Sequence, residues 1–115
     1  MAEPKGKVDW TEVPVHEVLP GIARQRVDAA HATIIRYVYQ PGAVFPTHHH
    51  PEEQTTVVLS GRIAFWLDDQ MVEAGPGDTL VIPAHAPHGA RVSGGAVVET
   101  LNVMAPRRQQ DVSFR

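Results

Sequence analysis

The sequence predicts an all-β fold, a sandwich or barrel of short strands, on three observations. The first is punctuation. Pro41-Gly42, Ser60-Gly61, Asp68-Asp69, Gly75-Pro76-Gly77-Asp78 and Ser93-Gly94-Gly95 mark a turn about every ten residues. The second is the character of the runs between the turns, which are short, apolar and rich in β-branched residues. The third is an exclusion: nine glycines and ten prolines among 115 residues leave no clean window for a long helix, though a single helical turn near a terminus fits.

In chain order, residues 1–9 are polar and without periodicity, and the arm to about residue 20 reads as loose. Pro14 and Pro20 argue against a helix there and for edge structure. Trp10, Val13, Val15 and Val18 give that arm apolar surface to pack on a neighbouring subunit or back on its own barrel. Strands are expected near 22–27, 31–40, 43–48, 54–59, 62–67, 70–74, 79–82, 88–92 and 96–104. Residues 34–39 are apolar on both faces apart from Arg36, as in a strand covered on both sides. That pattern predicts a homodimer, with a β-sandwich monomer as the alternative.

A chain of 115 residues has room for one domain, 1–115, with a modest core. With no cysteine, disulfides, thiolate metal sites and cysteine nucleophiles are excluded, so a metal would be held by nitrogen and oxygen. Ten basic against thirteen acidic residues, a formal charge of −3, give no footprint for nucleic acid. No apolar run reaches the length that spans a bilayer, and no leader pattern opens the chain; the expectation is a cytoplasmic protein with a small-molecule substrate.

Five of the seven histidines lie in two clusters, 48–50 and 85–88. On a strand, His48 and His50 point to one face and His49 to the other. Gln54 shares their parity, and His88 follows 38 residues after His50 behind Pro83 and Pro87. If the two segments pair, three imidazoles and one amide oxygen converge. Such a set suits a borderline divalent cation, zinc, nickel, manganese or iron, with a position left for water or substrate. His16 and His31 read as ordinary hydrogen-bonding residues, and Glu52 with Glu53 as a solvated turn that has the chemistry to orient an imidazole.

The spacing resembles that of the cupins. Their first motif is glycine, five residues, His-x-His, three or four residues, glutamate, six residues, glycine; Gly42, His48, His50 and Gly61 match, and Gln54 replaces the glutamate. In the second, at 77–92, Gly77, Pro83 and His88 match, while His85 and Val92 stand in place of glycine and asparagine. The resemblance implies a double-stranded β-helix, dimeric, with a metal in one mouth held by His48, His50, Gln54 and His88. The C-terminal strand is similar to that of small cupins that open unsaturated uronates, Asp-x-Phe-x-Pro-x-Arg. Pro106 and Arg108 match there, Asn102 replaces the acid, and Met104 replaces the aromatic.

Both departures carry chemistry. Glutamine in place of glutamate leaves the full dication charge to polarise a ligand oxygen, and it disfavours oxidation of the metal. Asn102 cannot exchange a proton near neutral pH, so acid–base work falls to another group. His85 or metal-bound hydroxide is a candidate, or else the substrate differs; His85 reads also as a further metal ligand, and equally as a plain loop residue. Arg108 reads either as a clamp for a substrate carboxylate or as a solvated tail residue. Three classes stay open: a Lewis-acid isomerase, lyase or cyclase on a small oxygenated compound such as a sugar acid; an iron- or manganese-dependent dioxygenase; and a non-catalytic small-molecule-binding protein.

Overall fold

The computed structural model describes residues 4–109. After a 3-10 turn at Trp10–Glu12 come ten strands: β1 His16–Leu19, β2 Ile22–Asp28, β3 Thr33–Tyr39, β4 Val44–His48, β5 Glu53–Ser60, β6 Ile63–Leu67, β7 Gln70–Ala74, β8 Thr79–Ile82, β9 His88–Val92 and β10 Val98–Ala105. They form two antiparallel sheets, one in the order β1-β2-β3-β10-β5-β8 and one in the order β4-β9-β6-β7. This is the jelly-roll, the double-stranded β-helix. Every strand expected from the sequence between 22 and 104 is present, and β1 is an additional one.

The turns explain the register. Gly61, between β5 and β6, has φ +78°, and a Cβ there would lie 2.5 Å from the Val97 carbonyl oxygen, so only glycine fits. The arm is tied down from Trp10 onward. Gln25 Nε2 donates to the carbonyls of Trp10 and Val13 at 2.7 and 3.0 Å, and β1 pairs with β2. From Trp10 onward the arm makes these contacts with its own barrel.

Alternation is cleaner in the fold than in the sequence. On β3, Thr33, Ile35, Tyr37 and Tyr39 are buried, while Ile34, Arg36 and Val38 are half-buried on the outer face. Arg36 is satisfied there by Gln25 Oε1 at 2.6 Å and by Glu99 Oε1 at 2.7 Å. The core between the sheets is built from Ile22, Ile35, Tyr37, Tyr39, Phe45, Val58, Ile63, Phe65, Val98 and Met104.

Two pairings set up the mouth of the barrel. His48 on β4 stands directly opposite His88 on β9. In the other sheet, β10 runs between β3 and β5, so Ile35, Asn102 and Thr56 lie in one row, with Met104 and Gln54 paired two residues further along. Among the described residues, no helix is long and apolar enough to cross a membrane.

Candidate metal centre

His48, His50 and His88 are all buried, and one ring nitrogen from each lies within 4.8 Å of the others. His49 between them is exposed; β4 ends at His48, so the course of the chain just beyond the strand, and not strand parity, turns His50 inward. Each ring is held by a main-chain carbonyl at Nδ1: Pro46 O at 2.9 Å for His48, Glu52 O at 3.0 Å for His50 and Ala86 O at 2.8 Å for His88. A carbonyl can only accept, so these contacts place the proton on Nδ1 and leave the Nε2 lone pairs for a cation.

Two observations test whether a cation belongs there. His88 Nε2 is buried and without a hydrogen-bond partner. His50 has an oxygen acceptor 3.0 Å from each ring nitrogen, Glu52 O at Nδ1 and Gln54 Oε1 at Nε2. A neutral imidazole carries one proton, so at one of these contacts two lone pairs meet. Burial, and then the charge of Arg108, lower the pKa of His50 and oppose a second proton. A positive ion on the Nε2 side removes the conflict, and the donor set suits one.

The same forces keep the other two rings neutral. Burial, then the neighbouring His88, push His48 down from 6.5 to about 3. Burial pushes His88 down to about 4. Neutral imidazole is the form that binds metal. Gln54 is buried with its amide oxygen toward His50, while its nitrogen donates to Thr56 Oγ1 at 2.8 Å and to Asn102 Oδ1 at 3.2 Å.

Beside the histidines is a cavity of about 20 Å³, the room of about one water, lined by Tyr37, Tyr39, Phe45, Phe65, Met104 and Arg108 among others. Burial raises the pKa of Tyr37, so its phenol stays protonated although Arg108 and two further arginines pull the other way.

Arg108 is 4% exposed, which corrects the solvated-tail reading. Its backbone is fixed on both sides: its amide donates to Thr33 Oγ1 at 2.9 Å and its carbonyl accepts from Arg26 Nη2 at 3.1 Å. Its Nε lies 3.3 Å from Glu52 Oε1, an ion pair without hydrogen-bond alignment. Glu52 is 6% exposed, so the solvated-turn reading of this residue is also corrected; the exposed Glu53 fits it. The carboxylate sits 3.6 Å from His50 Nδ1, where it faces the ring from behind.

His85 is exposed, in a turn with φ +67°, and its backbone amide donates to His50 O at 2.7 Å. The structure therefore does not bring its side chain into the cavity lining. Sequence reasoning passed over Tyr37, Tyr39, Phe45 and Phe65 as lining residues. The apolar odd positions of β6, Ile63, Phe65 and Leu67, were a signal in the sequence, whereas on β3 residues 34–39 are apolar on both faces apart from Arg36 and the inward face shows only in the fold.

Comparison with known proteins fits this geometry. The chain superposes on an RmlC-like cupin from Shewanella frigidimarina NCIMB 400 with a TM-score of 0.84 at 19% identity, covering 95% of this chain and 97% of that one. On KdgF from Halomonas sp. the TM-score is 0.83 at 26% identity, covering 92% and 97%. On the polyketide cyclase RemF from Streptomyces resistomycificus it is 0.78 at 23%, covering 97% and 87%. At 19% and 23% identity the likeness is one of fold. No curated protein matches the chain. The cupin-domain family model matches residues 35–104, from β3 to β10. That span takes in all three histidines and Gln54, and the chain belongs to the cupin family.

Proposed function

We propose that this cupin is a divalent-metal enzyme of the Lewis-acid type, an isomerase, lyase or cyclase acting on a small oxygenated compound that carries an acid group. The observation that carries the reading is the neutral donor set: three imidazoles and an amide oxygen, with the Glu52 carboxylate on the Nδ1 side of His50, beside Arg108. A divalent ion held by His48, His50, Gln54 and His88 supplies undiminished positive charge to polarise a substrate oxygen.

The remaining work falls to side chains already in place. Arg108 offers a guanidinium for a substrate carboxylate, and Tyr37 offers a phenol proton to a developing negative oxygen; both line the cavity. Phe45, Phe65 and Met104 keep the floor dry, which strengthens those interactions. With about 20 Å³ inside, only the reacting end of a substrate enters, and the rest lies at the mouth. The likeness of residues 102–108 to the uronate-opening cupins makes unsaturated uronates the first compounds to assay.

The test begins with metal analysis of protein purified without added metal, which identifies zinc, nickel, manganese or iron. Gln54→Glu should then tighten metal binding and lower the redox potential of the iron- or manganese-loaded protein. Unchanged affinity and potential would sink the Lewis-acid reading. Oxygen uptake by the iron-loaded protein with an electron-rich substrate would replace it by a dioxygenase.

The same reading includes a homodimer. On the outer face of the larger sheet, Ile34, Val103, Thr55 and Val81 form one row across four strands and Arg36, Leu101, Val57 and Thr79 the next. Val81 is 56% and Val103 39% exposed, a stripe that a second copy would cover. Light scattering showing a monomer at micromolar concentration would count against it.

A further inference from the structure

An amide side chain has two ends of nearly equal size, and only one of them can face a cation. What decides the orientation of Gln54 is a row of buried groups behind it. Asn102, Thr56 and Thr100 are 2%, 0% and 0% exposed, so water does not arbitrate among them.

The row has a fixed origin. The Ile35 carbonyl can only accept, and Asn102 Nδ2 donates to it at 3.1 Å and to Thr100 Oγ1 at 3.0 Å. Asn102 Oδ1 is thereby turned toward β5, where it accepts the Thr56 hydroxyl at 2.6 Å and Gln54 Nε2 at 3.2 Å. Having given its proton to Asn102, Thr56 Oγ1 presents a lone pair and accepts from Gln54 Nε2 at 2.8 Å. Both acceptors therefore meet the nitrogen end of Gln54. The oxygen end is left toward His50 Nε2, at 3.0 Å.

We infer that Asn102 is a positioning residue of the metal centre: read from the Ile35 carbonyl, it fixes through Thr56 which end of the Gln54 amide faces the three histidines. This rests on the metal reading above and goes beyond it, since Asn102 itself touches none of the three imidazoles in the hydrogen-bond network. It also gives the asparagine at this position a use that needs no proton transfer. Without the Asn102 acceptor, the Thr56 hydroxyl is free to donate to Gln54 Oε1, and the amide can turn its NH2 toward the centre.

The test uses the full-length protein stripped and reloaded with cobalt(II), whose visible absorption reports the number and symmetry of its donors. Asn102→Leu keeps the volume and removes the acceptor; affinity should fall by at least about tenfold, with a changed cobalt spectrum. Asn102→Asp returns an acceptor oxygen toward Thr56 and Gln54, although its second oxygen has no proton for the Ile35 carbonyl, and should bring the spectrum part of the way back. A wild-type spectrum in Asn102→Leu overturns the inference, as does a spectrum in Asn102→Asp no nearer to the wild type than that of Asn102→Leu. Should Asn102→Leu not fold, Thr56→Val decides: a weaker affinity and a shifted band support the relay, and an unchanged spectrum overturns it. Failure of the wild-type protein to take up cobalt overturns the metal reading and the relay with it, whereas cobalt uptake indifferent to these variants removes the relay alone.

Discussion

Replacing Arg108 by methionine tests the buried ion pair behind His50. The substitution keeps most of the aliphatic stem and the backbone contacts to Thr33 and Arg26, and removes only the guanidinium. Glu52, 6% exposed, then loses the cation whose Nε lies 3.3 Å from its carboxylate oxygen. At that separation the Coulomb attraction is about 5 kcal/mol for an effective dielectric of about 20. Stranding one member of such a pair costs about 3–5 kcal/mol, far above the roughly 0–1 kcal/mol of a surface pair. The expected result is a melting temperature lower by roughly 10–20 °C and a matching shift in the urea midpoint at neutral pH. Glu52→Gln added to Arg108→Met should recover much of the loss, because no charge is then left in the interior. A loss under about 1 kcal/mol, or a double variant no more stable than Arg108→Met alone, would refute the reasoning.

Further outcomes follow from the same geometry. His88→Ala should reduce metal affinity by more than the roughly hundredfold of an outer partner, measured by competition with a chelator, while His49→Ala at its exposed position should leave affinity unchanged. Metal-free protein should lose stability as the pH falls below about 6.5. The unfolded chain binds protons there that His48, at about 3, and His88, at about 4, refuse in the fold, so stability is present above the unfolded pKa and drains away below it. Between neutrality and about pH 5 the loss is about 2 kcal/mol for each ring, read by urea titration at several pH values. Gly89→Ala should destabilise by roughly 1–3 kcal/mol and perturb the fluorescence of Trp66, because a Cβ at Gly89 would stand 2.3 Å from Trp66 Cζ2 and 2.7 Å from the Phe45 carbonyl.

The fold was legible in the sequence because turn residues announce themselves: Gly61 and Gly77 sit at positive φ, a conformation that favours glycine. The ligand set was legible from the His-x-His spacing, which separates His48 and His50 from His49, although β4 ends at His48 and His50 lies just beyond it. What escaped was everything decided by pairing between distant segments. Glu52 and Glu53 are adjacent acids, and nothing in their neighbourhood shows that one is buried against Arg108, 56 positions away, while the other is exposed. Arg108 sits in a polar tail, and its burial depends on Thr33 and Arg26 at the far end of the chain. Asn102 could be recognised as unable to exchange a proton, but its bond to the Ile35 carbonyl belongs to the register of β10 on β3.

The three carbonyls that hold the imidazoles come from Pro46, Glu52 and Ala86, each two positions from the histidine it orients. A peptide oxygen is the same whatever side chain stands at its residue. The aim of the three rings is thus carried by the course of the chain and is invisible to any comparison of residue types. Substitution at positions 46, 52 or 86 leaves the oxygen in place as long as the local path survives. Tyr37, Phe65 and Met104 of the cavity lining supply none of these oxygens, so changing them leaves in place the carbonyls that aim the histidines.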